Sequence, residues 1–470
     1  MMLNNRREKV MSNQTAYRPL QWALIVLSSV LVCIWAMQHT IALRNSLLGV
    51  GAILGLFYGF VFFQASARTY PLKTYLAPAM LGAVLVWVLA HYLWLSQAPI
   101  VQYQELTSTW LRCLLAAIMG FATGLAITRC PSSIKWLWLG LFAGFVVLYS
   151  QYLPRFWSSG VLFQPDYFNY IFFGKHNVVM VGTLLIAGLL AGIGNVLVGK
   201  LSPKHRYATL MISFLVISAV LFAYVFLFDT RNGIGLAVIL LVFACVTSFL
   251  PALVKQQGLT SKGLLILFMG LLVGLTLYFS YRQTQLNQGW NNSLEDAQIA
   301  IQIDRYPNWQ NPSLMGYPKT PSGRQVTINT YERVAWATAA LRLIYEEPLG
   351  NGVLHRSLGR SLEKRYPQIA ANPNFAAASH SAWLDLGLSL GVPGLALLIG
   401  SILLLFKRSW GASSPFAREG VMLSVALLLL YTVAELIGQH GLESLFFWVA
   451  LLSGLQFWGL VRADQRPLDG

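Results

Sequence analysis

Charge is scarce in this chain. Asp, Glu, Lys and Arg together make up 11% of the 470 residues, only 17 of them acidic, against 56% hydrophobic residues and a mean hydropathy of +0.58. A chain of that composition cannot cover its apolar surface as a water-soluble globule, so it is read as an integral membrane protein. Cysteine is also sparse. Cys33, Cys113, Cys130 and Cys245 lie in or at the ends of apolar runs, which excludes a disulfide framework for any outer segment. Internal repeats, low-complexity tracts, zinc-type spacings and a phosphate loop are all missing; the "GNG" at 350–352 reads as a turn after a helix stop. The polar start, running to Pro19, lacks a small-residue cleavage site, so the first helix is expected to be retained.

Long apolar runs are abundant. Twelve are counted, at about 20–38, 46–63, 76–95, 110–128, 135–153, 177–198, 207–227, 232–250, 262–280, 384–406, 419–437 and 442–461. Each is long enough to cross a hydrocarbon core of roughly 30 Å as a helix, which satisfies its own backbone polar groups. Orientation follows from the 33 Lys and Arg. The termini and the loops near 64–75, 129–135, 199–206, 251–262 and 407–418 hold 18 of them, and the short loops on the other face hold 5. Basic flanks stay in the cytoplasm, so both termini are expected there and the other face is outward, periplasmic in a two-membrane bacterium. The net charge of +16 is therefore mainly a topology signal, and a nucleic-acid partner is not implied.

The expected division is a tail at 1–19, nine spans within 20–280, an outer domain at 281–383, three spans within 384–461 and a tail at 462–470. About 100 residues of structureless connection would be unusual, so 281–383 is read as a small, mostly helical domain. Within it, "TINTYERVAWATAALRLIYEEP" predicts a helix capped by Asn329 or Thr330, with Arg333 in its first turn and Pro348 as its stop. Arg333 and Arg342 are nine positions apart, so at about 100° per residue they face opposite sides. "LHRSLGRSLEKRY" predicts a second helix on which Arg356, Arg360 and Lys364 stack at i, i+4 spacing; this is either a solvated face or a site for a phosphate-rich lipid headgroup.

The segment "NFAAASHSAWLDLGLSLGVPGL" (374–395) places His380 where the outer domain meets the tenth run. The expected arrangement has Ser379 as N-cap, His380 in the first helical turn and Trp383 as an interfacial anchor. The helix dipole there disfavours an imidazolium, which leaves the ring free to accept a proton. On the same face lie Arg231 in "FDTRNGIG", Lys175 and His176 in "FFGKHN", and Arg155. Asp229 offers Arg231 a local ion pair as the simpler reading. Cations at the membrane plane beside a histidine suit a lipid-linked diphosphate: the cations hold the anion, and the histidine activates a hydroxyl. Glu435, His440 and Glu443 cluster at the last outer hairpin and are read as a structural network. Asp385 stands alone below His380.

Three stretches resemble the family of O-antigen ligases, O-antigen polymerases and bacterial O-oligosaccharyltransferases. "HSAWLDLGLSLGVPGL" is similar to the family's His-(Asn/Ser/Gln) followed nine residues later by Gly, here His380, Ser381, Gly391 and Gly394. "ERVAWATAALRLIYEEPLGNGV" is similar to its Arg-x-x-Trp helix and Pro-Leu-x-Gly-x-Gly turn, here Arg333, Trp336, Pro348, Leu349, Gly350 and Gly352, with Gly already following Leu349. "TRNGIGLAV" is similar to its Ser/Thr-Arg-x-Gly, here Arg231 and Gly233. The resemblance covers the chain from about residue 170 onward. It implies an all-α, GT-C-like membrane glycosyltransferase that needs neither metal nor nucleotide cofactor. Such an enzyme moves a glycan en bloc from undecaprenyl diphosphate, in O-antigen ligases to a sugar of the lipid A core, at the periplasmic face of the bacterial inner membrane. Carried over, His380 becomes the base or acceptor orienter and Arg231 and Arg333 the diphosphate binders. Lys175, His176 and Arg155 are further diphosphate candidates, and Ser381, Arg342, Arg356, Arg360 and Asp385 are acceptor-side or supporting candidates. Ligases, polymerases and protein-glycosylating members share this donor chemistry. A transporter of the same lipid is the rival of another class, disfavoured by the lack of paired broken helices in two halves.

Overall fold

A computed structural model describes residues 17–65, 71–163, 172, 174–199, 203–255, 259–287, 292–366, 369 and 378–458. Most of the two expected tails and residues 374–377 before the His380 segment lie outside these. Among the described residues the structure is helical, with two isolated β-bridges and no strand. The longer helices are α1 (Arg18–Ile34), α2 (Ile41–Ala65), α3 (Leu72–Trp94), α4 (Pro99–Arg129), α5 (Pro131–Ser159), α6 (Lys175–Val198) and α7 (Pro203–Phe222). They continue as α8 (Arg231–Lys255), α9 (Leu259–Leu286), α10 (Ser293–Ala300), α11 (Ile328–Glu346), α12 (Ser357–Arg365), α13 (Ala382–Ser409), α14 (Ala417–Val433) and α15 (Gln439–Leu455).

Among the described residues, nine helices, α2 to α9 and α13, are long and apolar enough to cross a membrane. Helices α1, α14 and α15 have 17 residues each, short of the roughly 20 that a straight span requires. Length and composition therefore support nine crossings among the described residues, and the expected count of twelve is not confirmed by them. The protein is an all-α, multi-pass membrane protein. Buried side chains from these helices form one continuous core. Its tightest seam joins α4 to α15. Gly120 and Gly124, spaced as in a small-xxx-small motif, leave no room for a Cβ against the α15 backbone at Phe447 and Leu451.

Helix α9 runs to Leu286, past the expected boundary at 280. Residues 292–366 then build a second core around Trp309, Tyr331, Trp336, Leu343 and Leu358. Helix α11 begins at Ile328 with Thr327 as N-cap, two or three residues before the predicted caps, so Arg333 falls in its second turn.

The loop after α11 fastens this segment to the bundle. Gly391, inside α13, has φ +66° and ψ −173°, which breaks the helix and frees backbone groups on either side. Asn351 N donates to Leu388 O (2.9 Å), Gly352 N to Ser389 O (2.8 Å) and Val392 N to Pro348 O (2.7 Å). The "PLGNG" turn thus pairs with the broken backbone of α13, and the Leu390 carbonyl accepts from Trp87 Nε1 (2.7 Å). Below the turn, His91 Nε2 meets Gly350 O (3.2 Å) and Gln102 Nε2 meets His91 Nδ1 (3.2 Å). The buried Glu105 carboxylate accepts from Leu354 N (2.9 Å) and His355 N (2.7 Å). A Cβ on Gly391 would fall inside the backbone of Pro348 and Leu349, and L side chains disfavour its φ. Gly391→Ala is expected to destabilise the fold by about 2–5 kcal/mol, read as a lower midpoint in detergent thermal unfolding. Gly235→Ala, at a helical glycine with nothing within 4 Å, should leave that midpoint unchanged.

Candidate active site

Three chain segments meet at the ends of α6, α8 and α14. Helix α7 finishes in a π turn over Ala223–Leu227, after which Asp229 takes φ +47° and α8 starts at Arg231. Tyr224, fully buried in that turn, donates to Val179 O of α6 (3.1 Å), and its ring lies where a Cβ on Gly233 would go. This is the physical reason for glycine in "TRNG": the tyrosine fills the space beside α8 while locking α6 to it. Asn232 Nδ2 donates to Val433 O (2.5 Å), and Ala382 N donates to Ala434 O (3.1 Å). The 433–435 segment is therefore held from the Arg231 side and from the His380 side.

The first residues of α6 and α8 line a cavity of about 280 Å³ together with Arg333 of α11. Lys175, His176, Thr230, Arg231, Asn287 and Arg333 are among its walls. Among the described residues, none of Lys175, Arg231 and Arg333 has an ion-pair partner. Asp229 does not pair with Arg231 as the simpler reading expected; its carboxylate accepts from Gln283 Nε2 (2.5 Å) and Asn287 Nδ2 (3.3 Å). Burial, and Arg231 beside it, lower the Arg333 guanidinium from its ordinary value, and Glu435 offsets part of this. Two guanidinium groups facing one polar cavity are arranged for an anion.

His380 stands beside this cavity. Its Nδ1 lies 2.9 Å from Glu435 Oε2, and its ring stacks on Trp336 at 5.5 Å between centroids and 25° between planes. Trp336 is one helical turn beyond Arg333, so the Arg-x-x-Trp spacing sends a cation into the cavity and an indole under the histidine from one face of α11. The His176 ring lies 6.2 Å from that of His380. The His380 ring beside it, with His176 and Arg333 nearby, holds the Glu435 carboxyl below its ordinary range despite partial burial. A proton on Nδ1, the nitrogen nearest Glu435, leaves Nε2 with the free lone pair.

His380 is not in the first turn of α13. The helix begins at Ala382 with Ser381 as N-cap, and His380 takes φ +60°, the left-handed region. Asp385, expected to stand alone, sets that turn: its Oδ1 accepts from Ser379 N (2.9 Å) and lies 3.3 Å from Ser357 Oγ. Ser379 bonds through its hydroxyl to Ser381 O (2.9 Å) rather than capping the helix. Trp383 is buried, donating to Leu428 O (2.9 Å), and so is no interfacial anchor.

The sequence profile of the family described as O-antigen ligase matches residues 216–399. Over that span the chain is similar to the O-antigen ligase family. Comparison with curated proteins gives no match. The match indicates an activity of the O-antigen ligase or polymerase type. The matched span holds Arg231, Arg333 and His380, while Lys175, His176 and Glu435 lie outside it.

The other candidates are placed elsewhere. Arg155 is exposed near the end of α5 and is not among the described residues lining the cavity. Arg342 forms a two-pronged ion pair with Asp304 (2.7 and 2.8 Å), on the opposite face of α11 from Arg333 as the helical count requires. Arg356 precedes α12, with φ +56°, and pairs with Glu363 (2.5 Å), so the expected three-cation stack does not form. Arg360 and Lys364 instead line a separate cavity of about 330 Å³, together with Gln97, Asn351 and Ser361. The Glu435, His440 and Glu443 group divides. Glu443 pairs with Arg112 and, at 3.8 Å, with the fully buried Arg44, which also meets His440 Nε2 at 3.3 Å. Glu435 alone turns to the site, and it is the functional candidate that sequence reasoning passed over. The local signal was an acid in the outer hairpin, which the sequence also offers at Glu443.

Proposed function

We propose that this protein transfers O-antigen glycan en bloc from undecaprenyl diphosphate to a hydroxyl of the lipid A core, at the periplasmic face of the bacterial inner membrane. The observation that carries the reading is the set of cations Lys175, Arg231 and Arg333, without ion-pair partners among the described residues, around one cavity, with the His380–Glu435 pair beside it. In this reading the cavity takes the donor diphosphate. The acceptor hydroxyl loses its proton to His380 Nε2 as its oxygen bonds to the anomeric carbon, and the glycosyl–phosphate C–O bond breaks. Glu435 stabilises the imidazolium so formed, and the cations receive the charge of the departing diphosphate. The cationic side chains neutralise the diphosphate charge that a metal would otherwise neutralise, so transfer is expected to proceed in EDTA and without nucleotide. Arg360 and Lys364, at their own cavity, favour a phosphorylated acceptor such as the lipid A core.

The test is reconstitution. Purified protein supplied with lipid-linked glycan and lipid A-core should release undecaprenyl diphosphate and yield ligated lipopolysaccharide. Elongation of the donor glycan without acceptor use would make the protein a polymerase. Movement of intact donor across vesicles with no diphosphate release would make it a transporter.

A further inference from the structure

We infer that His176, His380 and Glu435 form a binding site for a divalent transition-metal ion of the zinc class, and that occupancy of this site switches the transferase off. One potential ligand atom from each residue lies within 4.8 Å of the other two. Zn²⁺ binds imidazole nitrogen and carboxylate oxygen at about 2.0–2.2 Å, which in a tetrahedron separates neighbouring ligands by roughly 3.4 Å. Side-chain adjustments of about an ångström therefore close the site around an ion. Two imidazoles and one carboxylate suit a borderline ion such as Zn²⁺ better than Mg²⁺ or Ca²⁺, which prefer oxygen.

The three ligands come from separate segments, the start of α6, the left-handed turn before α13 and the hairpin after α14. All three segments are tied at their backbones, by Tyr224 to Val179 of α6, by Asp385 to Ser379 and by Ala382 to Ala434. The groups are thus held near one another before any ion arrives, which reduces the ordering that binding requires. Lys175, Arg231 and Arg333 oppose a cation at this point, and Glu435 is the only carboxylate among the three ligands. An ion with its fourth position on an anion, such as a donor phosphate oxygen, relieves that repulsion. The site is accordingly expected to bind more tightly when the neighbouring cavity is filled.

The inhibitory part rests on the role proposed above for His380. A neutral imidazole has a single lone pair. Donated to a metal, it cannot take the acceptor proton, and Glu435 is occupied in the same event. No bond to substrate forms or breaks, and chelation restores the base.

Direct metal binding separates this inference from the transferase reading. Tag-free, full-length protein in detergent, stripped with EDTA and desalted, is titrated with ZnCl₂ alone by calorimetry and assayed for bound metal. One Zn²⁺ per chain is expected. His176→Gln and Glu435→Gln should each bind it at least about tenfold more weakly. A variant with all four cysteines changed to Ser should bind as the parent does, and size-exclusion profiles report whether each variant is folded. No bound zinc, or zinc binding unchanged in folded His176→Gln and Glu435→Gln, overturns the site. In the transfer assay, Zn²⁺ should inhibit and EDTA reverse the inhibition. Stoichiometric zinc with transfer undiminished overturns the switch, while a preparation with no transferase activity that still binds zinc through these residues rejects only the enzymatic reading.

Discussion

Replacing His380 with Asn is expected to reduce glycan transfer about 10²–10⁴-fold, the range over which a positioned general base contributes. Asn is chosen because His380 holds φ +60°, and Asn tolerates the left-handed region better than Ala does. The turn set by Asp385 can therefore persist, and loss of rate reports loss of the imidazole rather than of the backbone. His380→Ala should lose at least as much. The check is single-turnover transfer with donor and acceptor saturating, alongside a thermal unfolding midpoint for each variant. Transfer at the parental rate in folded His380→Asn would remove His380 from the chemistry and leave the cavity as a binding site alone.

The second large effect is expected at the cations. Arg333→Ala and Arg231→Ala should each lower transfer about 10²–10³-fold, as removal of one donor to developing negative charge does elsewhere. The double variant should lose less than the product of the two, because both guanidinium groups act on one diphosphate. Arg342→Ala is the matched control on the same helix. It breaks the exposed ion pair with Asp304, which stabilises by about 0–1 kcal/mol, and it should leave transfer unchanged. The comparison uses kcat/KM for the lipid-linked donor. Equal losses in Arg333→Ala and Arg342→Ala would mean that α11 matters only as a structural element.

The fold class was legible because hydropathy is a local property. An apolar run reads as a membrane helix whatever it packs against, and the runs fall on α1 to α9 and α13 to α15. The opposed faces of Arg333 and Arg342 were legible too, since helical period depends on nothing beyond the helix. Boundaries failed where single side-chain contacts override the helical pattern. The helix before Gly391 starts at Ala382 because Asp385 draws the Ser379 amide into a turn, and Arg356 leaves α12 for Glu363. Both contacts are made within seven residues, by individual side chains that neither hydropathy nor helical period reports.

The sequence by itself determined a membrane protein with an all-α architecture, the family motifs, and the presence of His380, Arg231 and Arg333 as candidates. Only the tertiary structure decided which residues share a site. His176, His380 and Glu435 are separated by 204 and 55 positions, and no periodicity relates them. They meet because Asn232 and Ala382 both bind the backbone of the hairpin that follows α14, and because the turn after α11 fills the break at Gly391. Charge and hydropathy are written residue by residue, whereas proximity between distant residues exists only once those backbone groups have found their partners.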